Sequence, residues 1–287
     1  KFANSLKMRV ALRMSDTNRA SEARAAFEAA ANGGFTSNAD NALFTYLGAF
    51  PNVNPLALDY VTRNDFAASN VMVDELDRLN DPRMGIYYEP ALNSGNFVGE
   101  VYGLTEADAA VTPNDDISQR GSVVLQNDAP GIFLDYAQVE FMLAEAAARG
   151  WAVTGTAAAH YNAGIEASMM FWNDGSIDAT DITDYLALPE VDYATLISGG
   201  ETWKQVIGRQ KWIALYMQGI QGWAEWRRLD FGILQTPAGG ILDGSTIPTR
   251  LLYPLDEQTL NGDSYSAGVS LLGGADAQST KLWWDVN

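Results

Sequence analysis

The chain has no cysteine and one histidine, His160. The first absence removes disulfides, thiol nucleophiles and cysteine-ligated zinc together. The second leaves no site that needs two histidines, and a Ser-His-Asp triad would have to recruit His160. That residue lies in "AAAHYNAGI", a helix-like stretch without a nucleophile elbow, and reads as a structural or surface histidine. Basic residues are scarce: 18 Lys and Arg stand against 36 Asp and Glu, a net charge of −18. This disfavours nucleic acid as a partner, since phosphate binding needs clustered positive charge. It suits a soluble, self-repelling surface. No run of about 18 apolar residues occurs, so no segment of this chain reads as a membrane-spanning helix. Glycine-rich phosphate cradles are missing too, because "NGG" and "GG" read as helix stops and turns, and nothing calls for a cofactor. Carboxylates are plentiful, but nothing fixes two of them at the separation glycoside hydrolysis requires.

Helical periodicity is what the chain does have. Candidate helices cover residues 1–14, 19–31, 66–80, 134–149, 157–172, 191–198 and 201–226. The segment 19–31 stops at Asn32-Gly33-Gly34, and 66–80 stops at Asp81-Pro82, where proline bars continuation. Residues 83–130 are a long irregular region, and the tail from 232 reads as Gly/Pro-rich coil with short extended pieces. No composition break marks a linker, so residues 1–287 read as a single, mainly helical unit. The chain opens in what looks like the middle of a helix, with Phe2, Leu6 and Val10 at i, i+4 and i+8. We therefore expect a piece of a longer protein, whose localisation cannot be read from the missing leader.

Small residues Ala144, Ala147, Ala148, Ala159, Ala163 and Gly164 permit close approach of helices 134–149 and 157–172, which is the grammar of tetratricopeptide-like repeats. On the first of these, Gln138, Glu145 and Arg149 share a narrow polar face, with Glu145 and Arg149 at i, i+4 spacing. Glu140 falls on the opposite, apolar side with Tyr136, Leu143 and Ala147. A carboxylate there needs a partner, and Arg209, Gln210, Arg227 and Arg250 are candidates.

Projected as one helix, 203–226 spreads its tryptophans around the axis. Trp203, Trp212, Trp223 and Trp226 therefore read as core of a buried central helix. "NDGSIDATDITDYL" at 173–186 resembles half of a calcium loop, but the first two ligand positions would be Met170 and Trp172, so Asp174, Asp178 and Asp181 read as a turn and helix cap. The loop 83–105 is different. It joins Tyr87, Tyr88, Phe97 and Tyr102 with Asn93, Asn96 and Glu100, a combination suited to stacking on sugar rings while hydrogen-bonding their hydroxyls, on a loop that a rigid scaffold could position.

Several segments together resemble the carboxy-terminal part of the SusD/RagB family of Bacteroidetes. They are "KFANSLKMRVALRM" (1–14), "NDPRM" (80–84), "DYAQVEFMLAEAAARGW" (135–151), "YNAGIEASMMFW" (161–172), "RQKWIALYMQGIQGWAEWRR" (209–228), "IPTRLLYPLDEQTLN" (247–261) and "DAQSTKLWWD" (276–285). The resemblance implies a mainly α, tetratricopeptide-like scaffold with long irregular loops. It also implies a lipid-anchored position at the outer-membrane surface and partnership with a SusC-type TonB-dependent transporter. The signal peptide, the lipidated cysteine and much of the transporter-facing repeat would precede this chain. Gln218 and Gln221 depart from the family's acidic helix pattern. The expected activity is non-enzymatic capture of a glycan, with Tyr87, Tyr88, Phe97 and Tyr102 as ligand contacts. A helical glycoside hydrolase and a peptide-binding relative are the alternatives.

Overall fold

A computed structural model describes residues 1–239 and 247–286. Part of the tail expected to be coil, residues 240–246, therefore lies outside the described residues. The helices are α1 (Phe2–Arg13), α2 (Ala20–Ala31), α3 (Pro55–Thr62), α4 (Asn70–Arg78), α5 (Met84–Tyr87), α6 (Glu106–Ala109), α7 (Tyr136–Ala148), α8 (Ala157–Trp172), α9 (Ala179–Leu186), α10 (Tyr193–Ser198), α11 (Trp203–Ala214), α12 (Gly219–Leu229), α13 (Leu255–Leu260) and α14 (Gly262–Leu271). Two antiparallel ribbons are set among the loops: β1 (Ala42–Phe44) pairs with β4 (Gly131–Leu134), and β2 (Tyr88–Glu89) with β3 (Gln119–Arg120). This is the mainly α, tetratricopeptide-like scaffold with long irregular loops that the sequence leads one to expect.

Local chemistry sets most helix starts. Ser69, Asp135 and Thr156 each accept an early amide of α4, α7 and α8 with their side-chain oxygens, satisfying donors that a helix leaves open. Asp178 with Asp181, and Thr202 with Gln205, form reciprocal capping boxes for α9 and α11. Asp178 and Asp181 of the calcium-like stretch are thus cap residues, and Asp174 accepts the Ser176 amide in the turn before them. Helix α3 is not among the expected helices, although Asn54 caps it and Pro55 occupies its first turn, a favoured arrangement. The tail also holds two short helices, α13 and α14, where glycine and proline content suggests coil.

Three helix pairs lie side by side, α1–α2, α7–α8 and α11–α12, with α7 touching both α1 and α11. One core gathers side chains of α4, α5, α7, α8, α9 and α11, and a second forms between α1, α2 and α7. Crossing of α7 and α8 is as close as its small residues allow: a Cβ on Gly164 would lie 2.9 Å from the Phe141 ring.

Three expectations change. First, 203–226 is not one helix. It breaks after Ala214, Met217 takes φ +62°, and the chain resumes as α12. The break is held by side chains: the Tyr216 hydroxyl donates to the Tyr87 carbonyl at 2.7 Å, and the Gln218 amide donates to Asp135. Second, the polar stripe of α7 faces the interior. Glu145 is fully buried, receives both guanidinium nitrogens of Arg228, and accepts from Arg149 at 2.8 Å. Gln138 accepts from Arg9 of α1. Third, Glu140 is buried as expected, but its partner is His160 of α8, whose Nδ1 lies 2.6 Å from the carboxylate.

The other ring nitrogen of His160, Nε2, lies 2.6 Å from the Thr154 carbonyl, which can only accept. Both nitrogens therefore need protons, and the imidazolium is the form that satisfies both partners. The Glu140 hydrogen bond accordingly raises the His160 pKa above 6.5. A group whose folded pKa is raised contributes stability fully below its unfolded pKa and loses that contribution as pH rises through the folded value. His160→Gln should destabilise the protein by about 1 kcal/mol at mildly acidic pH, a modest figure because the site is partly solvated. The difference should shrink as pH rises above neutrality. Urea melts of both proteins across that range check it, and a pH-independent difference would remove the charged pairing.

Candidate functional site

The irregular segment after α4 is anchored before it reaches the surface. Glu100 and Ser69 form a parallel bridge, and the Tyr102 amide donates to Asn70 Oδ1 at 2.9 Å. Gly99 permits this approach, since a Cβ there would sit 2.3 Å from the Asn70 Cα. Beyond Tyr102 the chain turns at Gly103, φ +73°, where a Cβ would also strike Pro237 at 2.4 Å. The amides of Ala238 and Gly239 then donate to the carbonyls of Tyr102 and Gly103 at 3.1 and 2.7 Å. Two loops far apart in sequence are thereby joined.

These loops, together with α11, α12 and the segment after residue 247, wall a cleft of ≈520 Å³, a size within the range of small-molecule sites. Tyr102, Trp212, Trp223, Ile220 and Leu251 supply its apolar surface, with Ser69, Gln235 and Gln278 among the polar lining. Tyr102 is 43% exposed. Trp223 is pinned: its Nε1 donates to the Pro248 carbonyl at 2.8 Å, and the Arg227 guanidinium stacks 3.7 Å from its ring centroid. The Tyr102 hydroxyl, the Trp212 indole N–H and the side-chain amides of Gln235 and Gln278 have no hydrogen-bond partner among the described residues, which leaves them available to a ligand. Among the described residues, no Asp, Glu, His, Lys or Arg lines the cleft. The lining residues offer ring faces and neutral hydrogen-bonding groups.

Of the four aromatic residues expected to contact ligand, only Tyr102 borders this cleft. Tyr87 is fully buried and stacks on Tyr216 at 3.8 Å, and buried Tyr88 meets the same ring edge-on at 5.9 Å. Neither has a face open to a ligand. The residues "MGIYYE" place both rings beneath the surface because α5 and β2 turn them toward α11. Phe97 is half-buried against the first core. Asn93 is engaged with Asp116 at 2.8 Å.

Trp212 and Trp223 are the cleft residues that periodicity assigns to the core. All four tryptophans of the 203–226 segment are half-buried, not interior. Trp203 lies beneath Arg149, whose guanidinium is 4.8 Å from its ring centroid. The local signal for the cleft pair was Gly222 in "MQGIQGW", which lets α12 approach the Trp212 ring. A Cβ on Gly222 would press on Trp212 at 3.3 Å.

Stacked helix pairs thus carry loops around a cleft that, among the described residues, is lined by aromatic faces and neutral groups, on a tetratricopeptide-like scaffold. The sequence pattern of the SusD-like family described as "starch-binding associating with outer membrane" matches residues 1–254, and the chain belongs to that family. The family description names binding and no reaction. Among solved structures, a SusD homologue from Bacteroides uniformis is 28% identical, with a TM-score of 0.85 over 100% of this chain and 64% of its own. A chitin-binding SusD homologue from Flavobacterium johnsoniae is 26% identical, with a TM-score of 0.83 over 100% of this chain and 63% of its own. A SusD homologue from Bacteroides thetaiotaomicron is 26% identical, with a TM-score of 0.82 over 99% of this chain and 64% of its own. The chain thus spans less than two thirds of the length of these relatives. No curated protein sequence matches it.

Proposed function

We propose that residues 1–287 are one SusD-like unit of a non-catalytic glycan-binding protein. In its full-length form this protein is lipid-anchored at the cell surface and delivers oligosaccharide to a SusC-type TonB-dependent transporter. The observation that carries the binding reading is the cleft, in which the exposed Tyr102 ring shares a concavity with Trp212 and Trp223 beside unpartnered amides. Such a surface stacks on the apolar faces of sugar rings and hydrogen-bonds their hydroxyls. The family description, which names binding, supports capture over hydrolysis. The starch-binding family description and the chitin-binding relative make those two polysaccharides the first ligands to try.

Affinity electrophoresis of the full-length protein in gels containing chitin-derived or starch polysaccharide, with assay of released sugar, tests this. Retardation without release is expected, and Tyr102→Ala should weaken it about tenfold, or about 1.4 kcal/mol, with the melting temperature kept because the ring is exposed. Release of sugar would make the protein an enzyme. Binding of peptides with no retardation by any glycan would move the cargo to peptides. Co-purification with a large outer-membrane barrel tests the transporter partnership.

A further inference from the structure

The α11–α12 corner is a ridge between two concavities. The cleft lies on one side, lined by Gly219 and Ile220. On the other is a hollow of ≈160 Å³, whose walls include Tyr46, Leu56, Pro130, Trp172 and Met217. Beside it runs the β1–β4 ribbon, where Phe44 and Phe133 are 45% and 58% exposed. Those two rings meet edge to face at 6.4 Å, and Phe44 and Tyr46 do so at 5.1 Å. The Tyr46 hydroxyl takes no hydrogen bond from other described residues.

Met217 lines the hollow and Gly219 lines the cleft, and two residues of chain reach at most about 7 Å. The ridge is therefore narrow compared with an oligosaccharide of several units. Its crest is held in place. Met217 is 40% exposed with φ +62°, a conformation few non-glycine residues adopt. It is fixed there by the Tyr216 and Gln218 hydrogen bonds on either side, and strain locked by its surroundings gathers at ligand-contact positions. Like the cleft, the hollow has no Asp, Glu, His, Lys or Arg among its described lining residues. Both sides thus present aromatic faces and neutral polar groups.

Resting on the glycan reading above, we propose that the two concavities form one extended site. A neutral oligosaccharide crosses the Met217 ridge, with one end against Tyr102 and Trp223 and the other against the aromatic residues of the β1–β4 ribbon. Recognition then favours long neutral chains over short ones, because the second contact is made within an already bound ligand.

Calorimetric titration of the full-length protein with tri- and hexasaccharides of the chitin and starch series tests this. The hexasaccharide should bind at least about tenfold more tightly than the trisaccharide. The combined replacement Phe44→Ala, Tyr46→Ala and Phe133→Ala should abolish that advantage, with trisaccharide affinity and melting temperature unchanged. Equal affinity for both lengths, or a triple variant that keeps the advantage, overturns the extended site and leaves the cleft as a short-ligand site. Trisaccharide affinity indifferent to Tyr102→Ala overturns the assignment of the cleft. Failure of both series to bind overturns both proposals.

Discussion

Replacing Glu145 with alanine should destabilise the protein by about 3–5 kcal/mol, the range for a buried ion pair that loses one partner. Glu145 is fully buried on α7, with Arg228 of α12 bidentate on its carboxylate and Arg149 at 2.8 Å. Arg228 also donates to Glu225, which takes Lys211 at 2.7 Å and has Arg13 at 3.8 Å. Asp16 holds the far side of Arg149. Among the described residues, Arg13, Arg149, Lys204, Lys211 and Arg228 gather around Asp16, Glu145 and Glu225. Loss of Glu145 takes a shared carboxylate from both Arg228 and Arg149, whereas Arg228→Met leaves Glu145 with Arg149 and Glu225 with Lys211. The Glu145 variant should be the more damaged of the two. At about 2–4 °C per kcal/mol for a chain near this size, its melting temperature should fall by roughly ten degrees. Similar melting temperatures for the two variants would mean that desolvation of individual groups, and not the sharing of Glu145 between two cations, governs the cluster.

The same cluster sets acid sensitivity. Burial alone would push the Glu145 and Glu225 carboxyls up, but Arg228 and its neighbours outweigh it and hold both below the usual value of 4.5. Carboxylates with depressed folded pKa values contribute stability above their unfolded value and lose it as pH falls through the folded value. Wild-type stability should therefore fall below about pH 4.5, and Glu145→Ala should show a shallower decline.

An equally large loss is expected for Asp81→Ala. Asp81 and Arg83 are both buried, and Arg83 is wholly inaccessible. The Asp81 carboxylate accepts from Arg83 Nε at 2.8 Å and from the Tyr185 hydroxyl at 2.6 Å. Gln210 donates to that hydroxyl at 2.7 Å and accepts from Arg83 at 2.8 Å, and Ser168 lies 3.2 Å from the same guanidinium. Without Asp81 the guanidinium keeps, among the described residues, only neutral acceptors in a site closed to water, which costs about 3–5 kcal/mol. Adding Arg83→Met should recover part of the loss, because removing both charges removes the unpaired one. Chemical denaturation of the single and double variants decides it. Additive losses would show that the two residues act separately and that the pair is not the source of the effect.

The Asp81-Pro82-Arg83 stretch shows what kind of information local pattern carries. Proline marks the end of α4 from the sequence alone, and the helix does stop nearby. That the aspartate and arginine on either side of it form the centre of a buried network is invisible locally, since their partners Ser168, Tyr185 and Gln210 come from α8, α9 and α11. Tyr102 and Tyr87 make the same contrast. Both lie in one aromatic-rich loop, but Gly103 meeting Pro237 keeps the first at a cleft, while stacking on Tyr216 takes the second inside.

Helix starts, stops and the repeat grammar were determined by the sequence itself, because caps, proline and small-residue spacing act within about one turn of chain. The family resemblance was legible for a related reason, as its motifs lie in those helices. Tertiary structure alone decided which side of α7 is interior, where the 203–226 segment breaks and which aromatic residues share a cleft. Each of these depends on partners far apart in the chain, such as Glu145 and Arg228, 83 residues apart. A polar stripe looks identical in sequence whether water or a guanidinium satisfies it, and only packing makes that choice.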